Sequence, residues 1–136
     1  MEWRQDGFVL TDDKRRLDLD AIMKLLALTY WARERPREIM REAMEHSLCL
    51  GLHQEGNLFG FARGVTDRAT FAWVCDVILH PKHRGKGLGK WMVRQLLDHP
   101  EMRLASVHLR TGEAHAFYET LGFRRVETMR RSPRTD

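Results

Sequence analysis

The residues His80-Pro-Lys-His-Arg-Gly-Lys-Gly-Leu-Gly-Lys-Trp91 join two different periodicities. Before them, Thr70 to His80 is a β-rich run, apolar on both parities, which reads as a central strand stopped by Pro81. After them, Leu88, Met92, Val93, Leu96 and Leu97 recur at helical spacing, and His99-Pro100 closes the helix. The joint carries Gly85, Gly87 and Gly89 among Arg84, Lys86 and Lys90. Glycines there let successive backbone N–H groups converge on one concavity, and a helix N-terminus adds its positive dipole end. The pattern predicts a cradle for a phosphate or pyrophosphate. It is not a Walker loop, because a Gly89-Lys90 pair would need glycine where Arg84 stands and serine or threonine where Trp91 stands. Nor is it a dinucleotide fingerprint, since Gly85-x-Gly87-x-Gly89 lacks the Gly-x-Gly-x-x-Gly spacing.

Upstream, Phe8 to Leu10 reads as a short first strand. Leu17, Ala21, Ile22, Leu25, Leu26 and Leu28 follow helical steps, and that helix is predicted to run through Tyr30 and Trp31. Pro36 suits the first turn of a second helix, Arg37 to about His46. Ser47 to His53 and Leu58 to Val65 read as a hairpin around Glu55-Gly-Asn57. Downstream come a strand from Leu104 to Arg110 and a short helix marked by Ala114, Phe117, Tyr118 and Leu121. Gly122 is placed to end that helix in a left-handed conformation, and Phe123 to Met129 reads as a last strand. The order β-α-α-β-β-β-α-β-α-β, with a right-handed crossover in its second half, predicts a mixed α/β fold. Its central sheet has an antiparallel N-terminal meander and a parallel βαβ unit in the C-terminal half.

The 136 residues suit a single domain, 1–136, with 131–136 as a frayed tail. Apolar residues at 43% and charged residues at 31% exclude a disordered or fibrous chain. The best apolar stretch, Ala21 to Ala32, is interrupted by Lys24 and too short for a membrane span, and no apolar segment follows Met1-Glu-Trp-Arg as a secretory signal would require. Cys49 and Cys75, both in apolar surroundings, read as reduced thiols of a cytoplasmic protein. No metal is expected, since His80 and His83 flank the proline turn without a carboxylate or cysteine in ligand register. A net charge of +4 favours an anionic partner, but no clustered basic and aromatic face points to nucleic acid.

Arg84-x-x-Gly87-x-Gly89 is followed at the expected distance by Thr111-Gly-Glu-Ala-His-Ala-Phe-Tyr-Glu-Thr-Leu-Gly-Phe123. Together these resemble the GNAT family of acyl-CoA-dependent N-acetyltransferases. The second stretch is similar to that family's closing motif, Asn-x-x-Ala-x-x-apolar-Tyr-x-x-x-Gly-Phe, and the resemblance extends from about residue 5 to residue 130. It implies acetyl-CoA as co-substrate and transfer of its acetyl group to a primary amine of a small molecule or peptide. By the same resemblance, backbone groups of Val77, Ile78 and Leu79 would flank the pantetheine arm. Arg84 and the amides of Gly85, Lys86, Gly87, Leu88, Gly89 and Lys90 would hold the pyrophosphate. Tyr118 would protonate the departing thiolate, and Thr111 stands where the family commonly has Asn.

The family often places a Glu base on the central strand, but Trp73 takes that position here. Asp76, the only carboxylate on that strand, is the candidate base or ammonium anchor, with a pKa expected to rise on burial; bonding a neighbouring loop is its other reading. His108 and Glu113 are weaker candidates. Tyr30, Trp31 and Arg33, at the end of the first helix, are the candidate acceptor-binding residues. The alternative function is a non-catalytic module that senses acyl-CoA, or binds nucleic acid, through the basic glycine loop. A homodimer stays open, and no membrane partner is expected.

Overall fold

A computed structural model describes residues 1–134. Its single sheet has six strands in chain order: β1 (Glu2–Gln5), β2 (Phe8–Thr11), β3 (Leu48–Gln54), β4 (Asn57–Thr66), β5 (Phe71–Leu79) and β6 (Ser106–Leu109). The helices are α1 (Leu19–Leu26), α2 (Arg37–Glu45), α3 (Leu88–Asp98) and α4 (His115–Glu119). Neighbouring strands are antiparallel through β5, and β5 runs parallel to β6. This is the mixed α/β architecture that the order of elements predicts. No helix among the described residues is long and apolar enough to cross a membrane.

Alternating strand residues feed two apolar layers. Leu50, Leu52 and Val74 pack against Leu88, Met92 and Leu96 of α3. On the opposite face Cys49, Phe61 and Ile78 meet Ile22, Leu26 and Met40 from α1 and α2. Asp18 caps α1, its carboxylate accepting from the amides of Asp20 and Ala21 at 2.9 and 3.3 Å.

The chain departs from the sequence expectations in four places. An extra strand, β1, precedes Phe8 and turns back through Asp6-Gly7, both at positive φ. The first helix stops at Leu26 instead of reaching Trp31. There the Thr29 hydroxyl donates to the Leu26 carbonyl at 2.8 Å and accepts the Ala32 amide at 3.1 Å, which turns residues 27–35 into a loop. Pro36 is the residue before α2 and not in its first turn. Finally, among the described residues Phe123 to Met129 pairs with no strand, and Val126 and Met129 are exposed. Of the tail expected to fray, residues 131–134 are exposed and 135–136 lie outside the described residues.

One irregularity shapes the site. Phe61 sits opposite Ile78, yet Arg63 sits opposite Cys75, so β5 carries one residue more than β4 across this step. Asp76 lies in that bulge at φ +52°. The extra residue reverses the parity of β5: Val74 faces α3, whereas Ile78 faces α1 and α2. Pairing with β6 ends at Val74 opposite Leu109, so among the described residues the outer edge of β5 has no strand beside it from Cys75 to Leu79.

Candidate active site

Because β5 and β6 are parallel, their carboxyl ends lie at the same end of the sheet. β5 runs into the glycine loop there, and β6 into residues 110–114 and α4. Crevices at the carboxyl ends of parallel strands are where ligands bind in α/β sheets. The unpaired edge of Val77, Ile78 and Leu79 forms one wall. In an antiparallel ladder alternate residues turn their N–H and C=O to opposite sides, so half of these groups face away from β4 into the opening.

The loop that follows is held at its base and open at its centre. The His80 amide donates to the Phe59 carbonyl at 2.8 Å, and His80 Nδ1 accepts the Lys82 amide at 3.2 Å. Gly85 and Gly87 then take φ of +81° and +76°. The α3 ladder starts with the Trp91 amide on the Gly87 carbonyl at 3.1 Å. Among the described residues, the amides of residues 85–90 donate to no protein group. A Cβ at Gly85, Gly87 or Gly89 would meet nothing within 4 Å. Six adjacent free amides around open space at a helix N-terminus match the geometry of an anion site. Arg84 and Lys86 are exposed beside it and Lys90 is half-buried. The field is felt locally: desolvation lowers the His83 pKa, and the charges of Lys86, His80 and Lys82 lower it further.

Across the opening, Thr111 Oγ1 accepts the Ala114 amide at 2.9 Å, which leaves its own proton free to donate. α4 ends as the sequence predicts, with Gly122 at φ +92° and the Phe123 amide on the Tyr118 carbonyl at 3.2 Å. Tyr118 packs against the Phe123 ring at 5.7 Å between centroids. Burial pushes its hydroxyl up to about 12, so it is a protonated donor at any physiological pH.

Asp76 is the hub of the remaining side. Its carboxylate is buried and accepts three side-chain donors: Trp31 Nε1 at 3.2 Å, Arg35 Nη1 at 2.7 Å and Arg63 Nε at 2.9 Å. Arg63 also reaches Ser47 Oγ at 2.9 Å. The expected rise in pKa does not occur. Burial does push the carboxyl up, but Arg35 and Arg63, through hydrogen bonds and charge, outweigh it and hold Asp76 below the ordinary carboxylate value. Sequence reasoning misses both arginines as its partners. Arg63 is the only charged residue in the run Leu58 to Val65, which is the signal that could have found it.

This network anchors the loop between α1 and α2 at the bulge. From there the loop crosses to the other wall, because a side chain at Gly112 would have its Cβ 2.9 Å from the Tyr30 hydroxyl. Tyr30, Trp31 and Arg33, with Glu34 and Arg35, border an open depression at the surface of this loop. Losing the carboxylate leaves two cations partly buried, so Asp76→Ala is expected to destabilise the fold by about 3 kcal/mol in chemical denaturation. A folded-state pKa below 3.8 makes this contribution complete above that pH and lost as pH falls through the lowered value. The acid limb of the stability curve therefore flattens in Asp76→Ala.

The Cys75 thiol has no part in this geometry. Burial pushes the Cys75 thiol up to about 11, which keeps it out of the reactive thiolate form. Among the described residues no three His, Cys, Asp or Glu side chains are grouped to hold a metal.

Comparison with known proteins agrees with the fold and with the family resemblance. The model of the acetyltransferase (GNAT) family matches residues 19–123. A crystal structure of a Xanthomonas campestris protein assigned to that family superposes with a TM-score of 0.88 at 31% identity, covering 96% of each chain. A protein of Gibberella zeae named as an acetyltransferase is 27% identical over 90% of this chain and 82% of its own. The uncharacterized N-acetyltransferase ycf52 of Porphyra purpurea is 31% identical over 85% of this chain and 70% of its own. With the family model matching residues 19–123 and a family structure superposing over almost the whole chain, the chain belongs to the GNAT acetyltransferase family.

Proposed function

We propose that this chain transfers an acetyl group from acetyl-CoA to a primary amine of a small molecule or peptide by direct attack. The observation that supports it most is the continuity of two features: the strandless edge of β5 leads straight into six unpartnered amides. Val77, Ile78 and Leu79 would bond the pantetheine arm as a strand would, with Thr111 donating from the other wall. Arg84 and the amides of Gly85, Lys86, Gly87, Leu88, Gly89 and Lys90 would hold the pyrophosphate. When bound, acetyl-CoA supplies an acetyl group activated as a thioester.

The chain's own contribution is orientation and proton handling. Tyr118 Oη donates its proton to the leaving sulfur and is reprotonated from water. Cys75, held as a thiol, forms no acyl-enzyme. Asp76 is the candidate base by sequence, but its oxygens already accept three donors, and this favours a positioning role for it. It ties Trp31 and Arg35 to the bulge, and the amine's proton passes to water. Tyr30, Trp31 and Arg33 would receive an acceptor bearing a ring, carboxylate or phosphate. The two free thiols suit a reducing compartment such as the cytoplasm.

The test is a panel of amines assayed for CoA-thiol release, with the acetylated product identified by mass. Amine-dependent release by at least one of them is expected, and release independent of any amine would contradict the reading. With an active acceptor in hand, Asp76→Asn separates the two roles. Positioning predicts a raised KM for the amine with kcat lowered less than about tenfold, whereas a general base predicts a kcat loss of roughly 100-fold or more.

A further inference from the structure

We propose, resting on the acetyl transfer described above, that His108 receives the proton which the acceptor ammonium gives up to water before the amine attacks. Val107 and Leu109 pack with the layer under α3, so His108 between them faces the opposite side of the sheet. Its strand partner Trp73 and the next residue on that face, Cys75, point the same way, because Val74 packs under α3. His108 is the last residue of β6 on this face, since the strand ends at Leu109. The α1–α2 loop crosses the same face at the carboxyl ends of the strands, held by Trp31 and Arg35 on Asp76 and reaching Gly112 at Tyr30. The imidazole therefore lies on the floor of the opening that an acceptor beneath this loop would enter.

The ring is held in place but not engaged. Phe71 stacks on it at 5.0 Å, with the planes 22° apart. Its Nδ1 is buried and has no hydrogen-bond partner. Buried polar atoms are seldom left so, and an unpaired one calls for a reason. Among the described residues, the histidine ring nitrogens that bond the protein belong to His53, His80 and His99, not to His108. Whichever nitrogen of His108 carries the lone pair is free to take a proton. His83 is also unpaired, but it packs on Phe59 in the layer under α3, away from this face.

The other titratable groups around the opening are spent or locked. On β5, Asp76 already accepts three donors, and burial pushes the Cys75 thiol up to about 11. On β4, Arg63 is bound to Asp76 and Ser47. The α1–α2 loop brings Tyr30, whose ring meets Trp31, with Arg33 and Glu34 exposed and Arg35 bound to Asp76. Beyond β6, Arg110 and Glu113 are exposed, and α4 brings Tyr118, held protonated by burial. Three residues of β5 separate Trp73 from the bulge, roughly 10 Å at about 3.3 Å per residue, so a short water relay joins imidazole and amine. The ammonium gives one proton to water, and water gives one to His108. The free amine then bonds to the carbonyl carbon, the bond to sulfur breaks, and the nitrogen's second proton leaves to water. Tyr118 protonates the sulfur and is restored from water. His108 returns its proton to solvent, so one proton is released per turnover.

The test compares two titrations of the full chain, using an acceptor found in the amine panel. One is the pH dependence of kcat/KM for that amine at saturating acetyl-CoA; the other is the NMR titration of the His108 ring in protein saturated with CoA. The acid limb of the rate is expected to follow the ring. His108→Gln keeps a planar group against Phe71. It is expected to lower kcat about 100-fold at neutral pH and to lose the acid limb, with acetyl-CoA affinity changed less than about threefold. A variant kcat within about threefold of wild type overturns the proposal. So does a limb that persists in the variant or departs from the ring titration, or a parallel loss of acetyl-CoA affinity. Where the variant does not fold, the wild-type comparison decides by itself. A wild type that acetylates no amine removes the acetyl-transfer reading and this assignment together, whereas an active wild type with an equally active variant removes this assignment alone.

Discussion

Gly87→Glu is expected to abolish acetyl-CoA binding while the protein stays folded. Gly87 sits at φ +76°, where a side chain costs about 1–2 kcal/mol, but its Cβ would enter open space and not the core. The glutamate carboxylate then stands at the mouth of six free amides, with the N-terminus of α3 behind them. It would compete for those donors and repel the pyrophosphate of the proposed ligand. A loss of affinity of at least 100-fold is expected, equivalent to about 2.7 kcal/mol. Gly87→Ala separates strain from charge: the same backbone penalty should cost the ligand less than about tenfold. If both variants lose affinity equally, backbone conformation and not electrostatics governs the cradle. If neither does, the pyrophosphate is not held there.

Tyr118→Phe is expected to produce the second large effect, on turnover alone. The ring keeps its packing against Phe117 and Phe123, so α4 and its cap are undisturbed. Only the hydroxyl, oxygen and proton together, is lost. Removal of a general acid typically costs 10²–10⁴ in rate, and kcat is expected to fall within that range while acetyl-CoA affinity changes less than about threefold. With the hydroxyl pushed up to about 12 by burial, the wild-type rate shows no alkaline decline from Tyr118 below about pH 11. An unchanged kcat would assign the proton to water, and a parallel loss of affinity would make Tyr118 a structural residue.

Local signals carried most of this architecture. Glu55-Gly56 turns the β3–β4 hairpin with both residues at positive φ, and the apolar run of β5 and the stripe of α3 are visible without a structure. β1 escapes because Glu-Trp-Arg-Gln holds one apolar residue among polar ones, as an edge strand can; only Asp6-Gly7 signals its hairpin. The early end of α1 depends on Thr29, whose two hydrogen bonds are a tertiary choice and not a propensity. The last strand fails for the opposite reason. Phe123 to Met129 has strand composition, but a strand exists only with a partner, and this chain alone provides none among its described residues.

The site divides in the same way. The phosphate cradle is legible because glycine spacing and a helix start act locally. The bulge at Asp76 is not, because it is a mismatch between β4 and β5 that neither strand shows by itself. Asp76 also shows how burial alone misleads: the carboxylate is buried, yet Arg35 from the α1–α2 loop and Arg63 from β4 reverse the direction of its pKa. The partners come from positions 41 and 13 residues away in sequence.

Calorimetric titration of the purified protein with acetyl-CoA, against CoA and ATP at two salt concentrations, tests the central claim most directly. Saturable one-to-one binding of both CoA forms is predicted, with ATP much weaker because it cannot pair along the free edge of β5. No binding of either CoA form, or binding of ATP as strong as theirs, would contradict the account. The basic loop would then be read as a general anion site, and a steep salt dependence toward nucleic acid would be the next property to measure.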